Sequence, residues 1–121
     1  MASNKIDLGV VRELAIRLPS VEESTLHDAP CFKVSGRLLT CLALHRSAEP
    51  NSLMVRIGRD ERAKLMAANP HAFYITDHYR NYPSVLVRLG KIDRRTLTVL
   101  LEMSWRFVGS KAKVSRSKPR R

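Results

Sequence analysis

Apolar residues recur along the chain at spacings that predict three helices. The first covers residues 6–18, where apolar side chains recur every three or four positions until a proline ends the pattern; Asn4 is its candidate N-cap. A short second helix covers residues 60–68, with Asp60 as its candidate cap. The third begins after Asp93 and has the clearest apolar stripe, formed by Leu97, Leu100, Leu101, Trp105 and Val108.

A β-hairpin is predicted from two apolar runs, residues 31–34 and 37–44, that flank a Ser-Gly turn. Because residues 38–44 are apolar on both faces, the pattern does not fix the register of the hairpin. A three-residue loop would place Cys31 and Cys41 opposite each other, whereas a two-residue loop would offset them. Two cysteines are too few for a disulfide framework, so the favoured interpretation is two reduced, half-buried thiols, with a redox pair as the alternative.

Three further strands are predicted at residues 53–57, 73–76 and 84–89. In the first and the last of them, apolar residues alternate with polar ones, which is typical of a strand with one buried face. The outward side chains of the three strands are then Arg56, Tyr74, Thr76 and Arg88.

The order of these elements is helix, three strands, helix, two strands, helix. Short connections between adjacent strands favour an antiparallel sheet of about five strands with the helices on one face, which is an α+β fold. The polar and acidic residues 20–30 are typical of a loop that holds at most one helical turn. Residues 1–108 are predicted to form one domain, followed by a basic tail at residues 109–121 that lacks apolar periodicity and is expected to be disordered.

Net charge is the unusual feature of the composition. The chain has 22 Lys and Arg against 11 Asp and Glu, a formal charge of +11. Six of the basic residues and none of the acidic ones lie in residues 109–121, which leaves +5 for residues 1–108. A basic surface favours polyanions such as nucleic acid, an anionic membrane or an acidic protein, without selecting among them.

No sequence pattern for membrane insertion or catalysis is present. The apolar runs are too short for a transmembrane helix and the N-terminus lacks a signal-peptide core, so a cytoplasmic protein without a membrane partner is expected. The five glycines are isolated, and no Gly-x-Ser-x-Gly or Cys-x-x-Cys motif occurs. We therefore expect no enzyme activity, no cofactor and no metal site, and the four histidines His27, His45, His71 and His78 show no ligand spacing.

Several segments of the chain resemble the MmcQ/YjbR-like family. Residues 18–23 (LPSVEE) and 30–37 (PCFKVSGR) are similar to its opening "LPG-x-x-E" stretch and "P-x-F-K-V-x-G-K" hairpin. Residues 73–89 (FYITDHYRNYPSVLVRL) resemble its second signature, and residues 104–108 its closing helix, so the resemblance spans about residues 8 to 111. It implies a compact α+β fold related to the frataxin-like (CyaY) arrangement, and a DNA-binding role through a proposed double-wing motif. No catalytic activity defines that family.

The residues themselves suggest how DNA would bind. Phosphates are bound by Lys and Arg, and unpaired bases stack on aromatic side chains. An open sheet face together with the loop at residues 77–83 supplies such groups, and an exposed strand face must be polar in any case, so the same residues also fit ordinary solvated positions. The candidate DNA-binding residues are Lys33, Arg56, Tyr79, Arg80, Tyr82 and Arg88.

A second hypothesis keeps the fold and replaces DNA by a small ligand or an acidic protein partner. Aromatic side chains on an open sheet face would favour DNA. A deep apolar pocket beneath residues 77–83 would favour the ligand or protein partner instead. The protein is expected to be a monomer in either case.

Overall fold

The computed structural model describes residues 6–26 and 29–117. The helices are α1 (Leu8–Ile16), α2 (Arg59–Ala68), α3 (Asp77–Arg80) and α4 (Arg94–Ser117). The strands are β1 (Val21–Leu26), β2 (Ala29–Val34), β3 (Arg37–Leu42), β4 (Ser52–Arg56), β5 (Phe73–Tyr74) and β6 (Ser84–Arg88). A 3₁₀ turn at Leu89–Lys91 leads from β6 towards α4.

The six strands form one antiparallel sheet in the order β1-β2-β3-β4-β6-β5. The predicted α+β class is confirmed, and the sheet has one strand more than the sequence pattern indicated. That strand is β1, which the sequence analysis assigned to a loop. It pairs with β2 along its whole length, yet Glu22, Glu23 and Thr25 are exposed. An edge strand with little burial shows no apolar alternation, so its sequence does not distinguish it from a loop.

A tight turn joins β2 to β3. Ser35 and Gly36 both have positive φ angles, 51° and 80°, which is the geometry of a two-residue hairpin turn that matches the twist of its strands. A β-bulge then shifts the register, because Lys33 pairs with Leu38 while Phe32 pairs with Thr40. Leu39 is the extra residue in β3.

The bulge changes the relation between the two cysteines. A two-residue loop alone would offset them, but the extra residue in β3 brings Cys31 directly opposite Cys41. Both thiols are reduced and both are buried, 0% and 8% exposed, rather than half-buried as predicted.

The main core lies between the sheet and the three longer helices. α4 packs across β2, β3 and β4 and against α1. Ser104 in α4 donates a hydrogen bond to the Leu39 carbonyl, and the Trp105 indole N–H donates to the Pro19 carbonyl at 2.8 Å. The largest buried side chains of this core include Phe32, Leu39, Leu53, Leu97, Leu100 and Leu101.

Helix boundaries differ from the sequence predictions at three points. The N-cap of α1 is Asp7, which accepts a hydrogen bond from the Val10 N–H, whereas Asn4 lies outside the described residues. Gly58 rather than Asp60 caps α2, and Asp60 lies in the first turn. The helical backbone of α4 continues through Gly109 to Ser117, into the segment predicted as a tail, since one glycine weakens a helix without having to end it. Residues 118–121 of that predicted tail lie outside the described part.

Candidate ligand pocket

A pocket opens on the face of the sheet that the three longer helices leave uncovered. Its volume is about 620 Å³. β3 and β4 supply the floor, α3 and the turn after it form one wall, and the ends of β1 and β3 form the rim. The lining residues are Leu26, Ala29, Leu38, Cys41, Leu42, Leu44, His45, Met54, His78, Tyr79 and Tyr82.

The apolar floor follows from the sheet register. One row of directly opposed residues crosses all six strands, and its members therefore point to the same face. In spatial order from β1 to β5 the row is Ser24, Cys31, Cys41, Met54, Leu86 and Tyr74. The four central members are buried, and together with Ala43 they form a second apolar cluster, separate from the main core.

The rim of the pocket exposes apolar side chains. Leu26, Leu44 and Tyr82 are 37%, 63% and 41% exposed. Among the described residues only Ile16 and Val99 are comparably exposed large apolar side chains, and neither lines this pocket. Exposed apolar groups are therefore concentrated around one opening.

Two stacked histidines lie at one end of the pocket. The rings of His45 and His78 are 3.5 Å apart and nearly parallel, at 6°. Tyr79 meets both rings edge-on, and its hydroxyl accepts a hydrogen bond from the His45 backbone N–H at 3.4 Å. The Ser47 backbone N–H donates to Nδ1 of His45 at 3.1 Å, which places the proton of the neutral ring on Nε2.

The pocket environment shifts three pKa values. Desolvation lowers the pKa of His45, and the positive charges of His78 and Arg46 add to this effect. Burial raises the pKa of the Tyr79 hydroxyl. Burial also raises the pKa of the Cys41 thiol to about 11, with a smaller contribution from Cys31. Neutral forms are thus favoured at the pocket surface.

Of the outward positions predicted for the sheet, Arg56, Tyr74 and Arg88 lie on the pocket face, whereas Thr76 lies beyond the end of β5 and is the N-cap residue of α3. Arg56 pairs with Ser84 and Arg88 pairs with Ser52, so the two arginines lie at opposite ends of the β4–β6 ladder. Lys33 is on the same face, between Glu22 of β1 and Leu38 of β3 in the ladder. The centre of this face is apolar, which differs from the basic and aromatic face expected from the sequence.

Each predicted arginine makes contacts within the protein. The Arg56 guanidinium donates to the Pro83 carbonyl at 3.2 Å and lies 4.7 Å from the centre of the Tyr82 ring. Arg80 is ion-paired with Asp77 at 3.0 Å. Arg88 forms two hydrogen bonds with Glu49, at 2.8 and 2.7 Å, and stacks over Tyr74 at 4.2 Å. A role of these residues in DNA binding stays a prediction.

Two arginines that the sequence analysis did not select hold the turn after α3. Arg59 donates to the Asn81 carbonyl at 2.6 Å, and Arg62 donates to the carbonyls of Arg80, Tyr82 and Ser84. Desolvation lowers the pKa of Arg62, and the charges of Arg59 and Arg80 add to it. One indication of their role is visible in the sequence: Arg59 and Arg62 are three residues apart, a spacing that places both side chains on the same side of α2.

The sequence did contain a signal for the pocket. Residues 38–44 are apolar at inward and outward positions alike, which is unusual for a strand whose second face meets water. His45 and His78 gave no such signal, because they are 33 residues apart and approach only through the tertiary fold. His27 lies outside the described residues. In the described part of the chain, no group of three or more His, Cys, Asp or Glu is placed to hold a metal ion.

These features define a small α+β protein in which helices cover one face of an antiparallel sheet and a pocket opens on the other. The chain belongs to the YjbR family, whose sequence model matches residues 16–107. The resemblance predicted from the sequence is thereby confirmed.

Similar chains are also found among known proteins and solved structures. An uncharacterised protein of Mycobacterium tuberculosis, Rv2570, and its Mycobacterium bovis counterpart Mb2600 are each 39% identical over 103 residues, covering 73% of this chain and 77% of their own. The crystal structure of Deinococcus radiodurans protein DR2400, with a DUF419 domain, has the same fold. Its TM-score is 0.74 at 21% identity, with 93% of this chain and 85% of that chain covered. No helix of the described residues is long and apolar enough to cross a membrane.

Proposed function

We propose that this chain is a non-enzymatic small-molecule-binding protein and that its ligand occupies the pocket on the uncovered sheet face. The observation that carries the proposal is the pocket itself, about 620 Å³ with an apolar floor and a few polar groups at one end. Ligand sites in proteins typically have this size and this distribution of apolar and polar groups.

The exposed rim supports the proposal on energetic grounds. A ligand that covers Leu26, Leu44 and Tyr82 removes apolar surface from water, which the uncovered sheet face otherwise leaves exposed. Each methylene of ligand transferred from water contributes about 0.8 kcal/mol, or roughly fourfold in affinity. The concave shape favours a compact ligand over a flat protein surface.

The test is binding of a neutral apolar dye, 1-aminoanthracene, followed by its fluorescence. We expect saturable binding with one dye per chain. Leu38→Trp should weaken dye binding by at least about tenfold, because the half-buried Leu38 lines the pocket and an indole there occupies ligand space.

The matched control is Ile16→Trp, on the exposed side of α1 and outside the pocket, which should leave dye binding unchanged. Thermal unfolding of both variants shows that they fold. A dye that does not bind the native chain, or binds both variants equally, would contradict the proposal.

DNA binding is a second candidate, favoured by one observation. Four arginines, Arg56, Arg59, Arg62 and Arg80, gather around the turn at residues 80–84, and the net charge is +11. Clustered guanidinium groups are the usual partners of phosphate. Against a specific role, each of these arginines already donates to a carbonyl or carboxylate of the protein.

Salt-dependent DNA binding separates the folded surface from the basic segment after Val108. We would compare the full chain with a variant in which the six basic residues of 109–121 are replaced by Gln. If these residues supply the affinity, neutralising them makes the negative slope of log K against log salt less steep by about five. Binding that persists near physiological salt in the variant would support the arginine cluster as a DNA site.

A further inference from the structure

The polar side chains that line the pocket can all act as hydrogen-bond donors. They are the imidazoles of His45 and His78 and the hydroxyls of Tyr79 and Tyr82. No carboxylate of the described residues lines the pocket. A ligand group beside the two imidazoles therefore meets hydrogen-bond donors and no carboxylate of the described lining residues.

Both histidines have ring nitrogens without a hydrogen-bond partner among the described residues. Ser47 occupies Nδ1 of His45, so the ring carries its proton on Nε2, which has no acceptor among the described residues. His78 is exposed and forms ring contacts with His45 and Tyr79, but no hydrogen bond within the described part of the chain. Each imidazole can therefore donate to a ligand at the pocket opening.

The charges around the histidines are predominantly positive. Arg46 adjoins His45 in sequence, and its charge acts on that ring. The loops that supply the histidines also carry two acidic residues, and both are ion-paired to arginine: Glu49 with Arg88 at 2.7 Å and Asp77 with Arg80 at 3.0 Å. An anion at this end would gain hydrogen bonds in a positive field.

We propose that the ligand is a small organic acid, with an apolar body over the Cys41 and Met54 floor and its carboxylate at His45 and His78. This inference rests on the proposed function, since it assigns a ligand class to the same pocket. It explains why the pocket combines an apolar floor with donors at one end. β3 carries Cys41 and leads directly into His45, and α3 brings His78 against the His45 ring.

Displacement of bound 1-aminoanthracene by three eight-carbon probes tests the inference at neutral pH. The probes are octanoate, 1-octanol and octylamine, which share the alkyl chain and differ in the charge of the head group. We expect octanoate to bind about tenfold more tightly than 1-octanol, the usual gain from a hydrogen bond to a charged group, and octylamine to bind least.

Two histidine variants locate the effect. His78→Leu should abolish most of the preference for octanoate while retaining binding of 1-octanol, because the variant removes a donor and keeps an apolar side chain. His71→Leu is the matched control, since His71 is an exposed histidine outside the pocket, and it should keep the full preference.

The outcomes separate the two proposals. If octanoate displaces the dye no better than 1-octanol, or does not displace it, the organic-acid inference is wrong while dye binding preserves the proposed function. An unchanged octanoate preference in His78→Leu would also overturn the inference. If the dye itself fails to bind the native chain, the proposed function fails and the ligand class falls with it.

Discussion

Cys41 shows how its surroundings set the chemistry of a single side chain. It lies directly opposite Cys31, yet burial on the pocket face raises the pKa of its thiol to about 11. The thiolate is the reactive form of cysteine, so a thiol in this environment is poorly suited to redox exchange at neutral pH. The pair therefore fits the apolar floor better than a redox role, in line with the interpretation favoured by the sequence.

The reactivity of Cys41 is a direct test of that view. In a Cys31→Ala variant, alkylation of the remaining thiol by iodoacetamide should be slow at pH 7 and should speed up about tenfold per pH unit to pH 9, because the thiolate fraction rises in that way below a pKa of about 11. Chain unfolded in guanidinium serves as the control and should react rapidly. A rate that levels off below pH 9 would contradict the raised pKa.

At the scale of single elements, the start of α4 is marked in the sequence by its N-cap residue, Asp93. Asp93 was predicted to cap it, and the Asp93 carboxylate accepts a hydrogen bond from the Thr96 N–H at 2.8 Å. The prediction for α2 was wrong, because Gly58 occupies the cap position and contributes no side-chain acceptor. Both aspartates precede a helical pattern, and only the backbone geometry distinguishes a cap from a first-turn residue.

The two aspartates give a matched pair of variants. Asp93→Ala should lower the unfolding temperature by about 4 °C, a typical effect of losing an N-cap in a chain of this size, whereas Asp60→Ala should have a smaller effect. The Thr96 hydrogen bond also lowers the pKa of Asp93, so its stabilising contribution is present above the unfolded pKa and is lost as the pH falls through the lowered folded pKa. Equal effects of the two substitutions, measured by thermal unfolding at pH 7, would contradict the assignment.

At the level of the whole molecule, Arg88 ties together segments that are distant in sequence. Its guanidinium donates to Glu49 and to the carbonyls of Pro70 and His71, and it stacks over Tyr74. It thus joins the loop before β4, the turn before β5 and the end of β6. The side chain that the sequence marked as a DNA contact has a clear structural role in the folded protein.

Removing the Arg88 side chain should therefore destabilise the folded protein, whether or not Arg88 contacts a ligand. We expect Arg88→Ala to lower the free energy of unfolding by about 2 kcal/mol, the usual cost of lost hydrogen bonds to a charged group, as measured by urea denaturation. Arg106→Ala, which removes an exposed arginine of α4 without a hydrogen bond or ion pair in the described residues, is the control and should be nearly neutral. A fully stable Arg88→Ala protein would mean that these contacts are dispensable and would leave Arg88 available to an external partner.

Local patterns in the sequence determined the three long helices, the hairpin, the inward and outward faces of β4 and β6, and membership of the YjbR family. Such patterns suffice where one segment buries one face, because the spacing of its apolar residues follows its own backbone geometry. The tertiary structure alone decided that β1 is a strand, since an exposed edge is held by pairing with β2 and not by burial. It also decided the cysteine register, through the bulge in β3, and the pocket with its histidine pair, because these depend on distances between segments far apart in the chain.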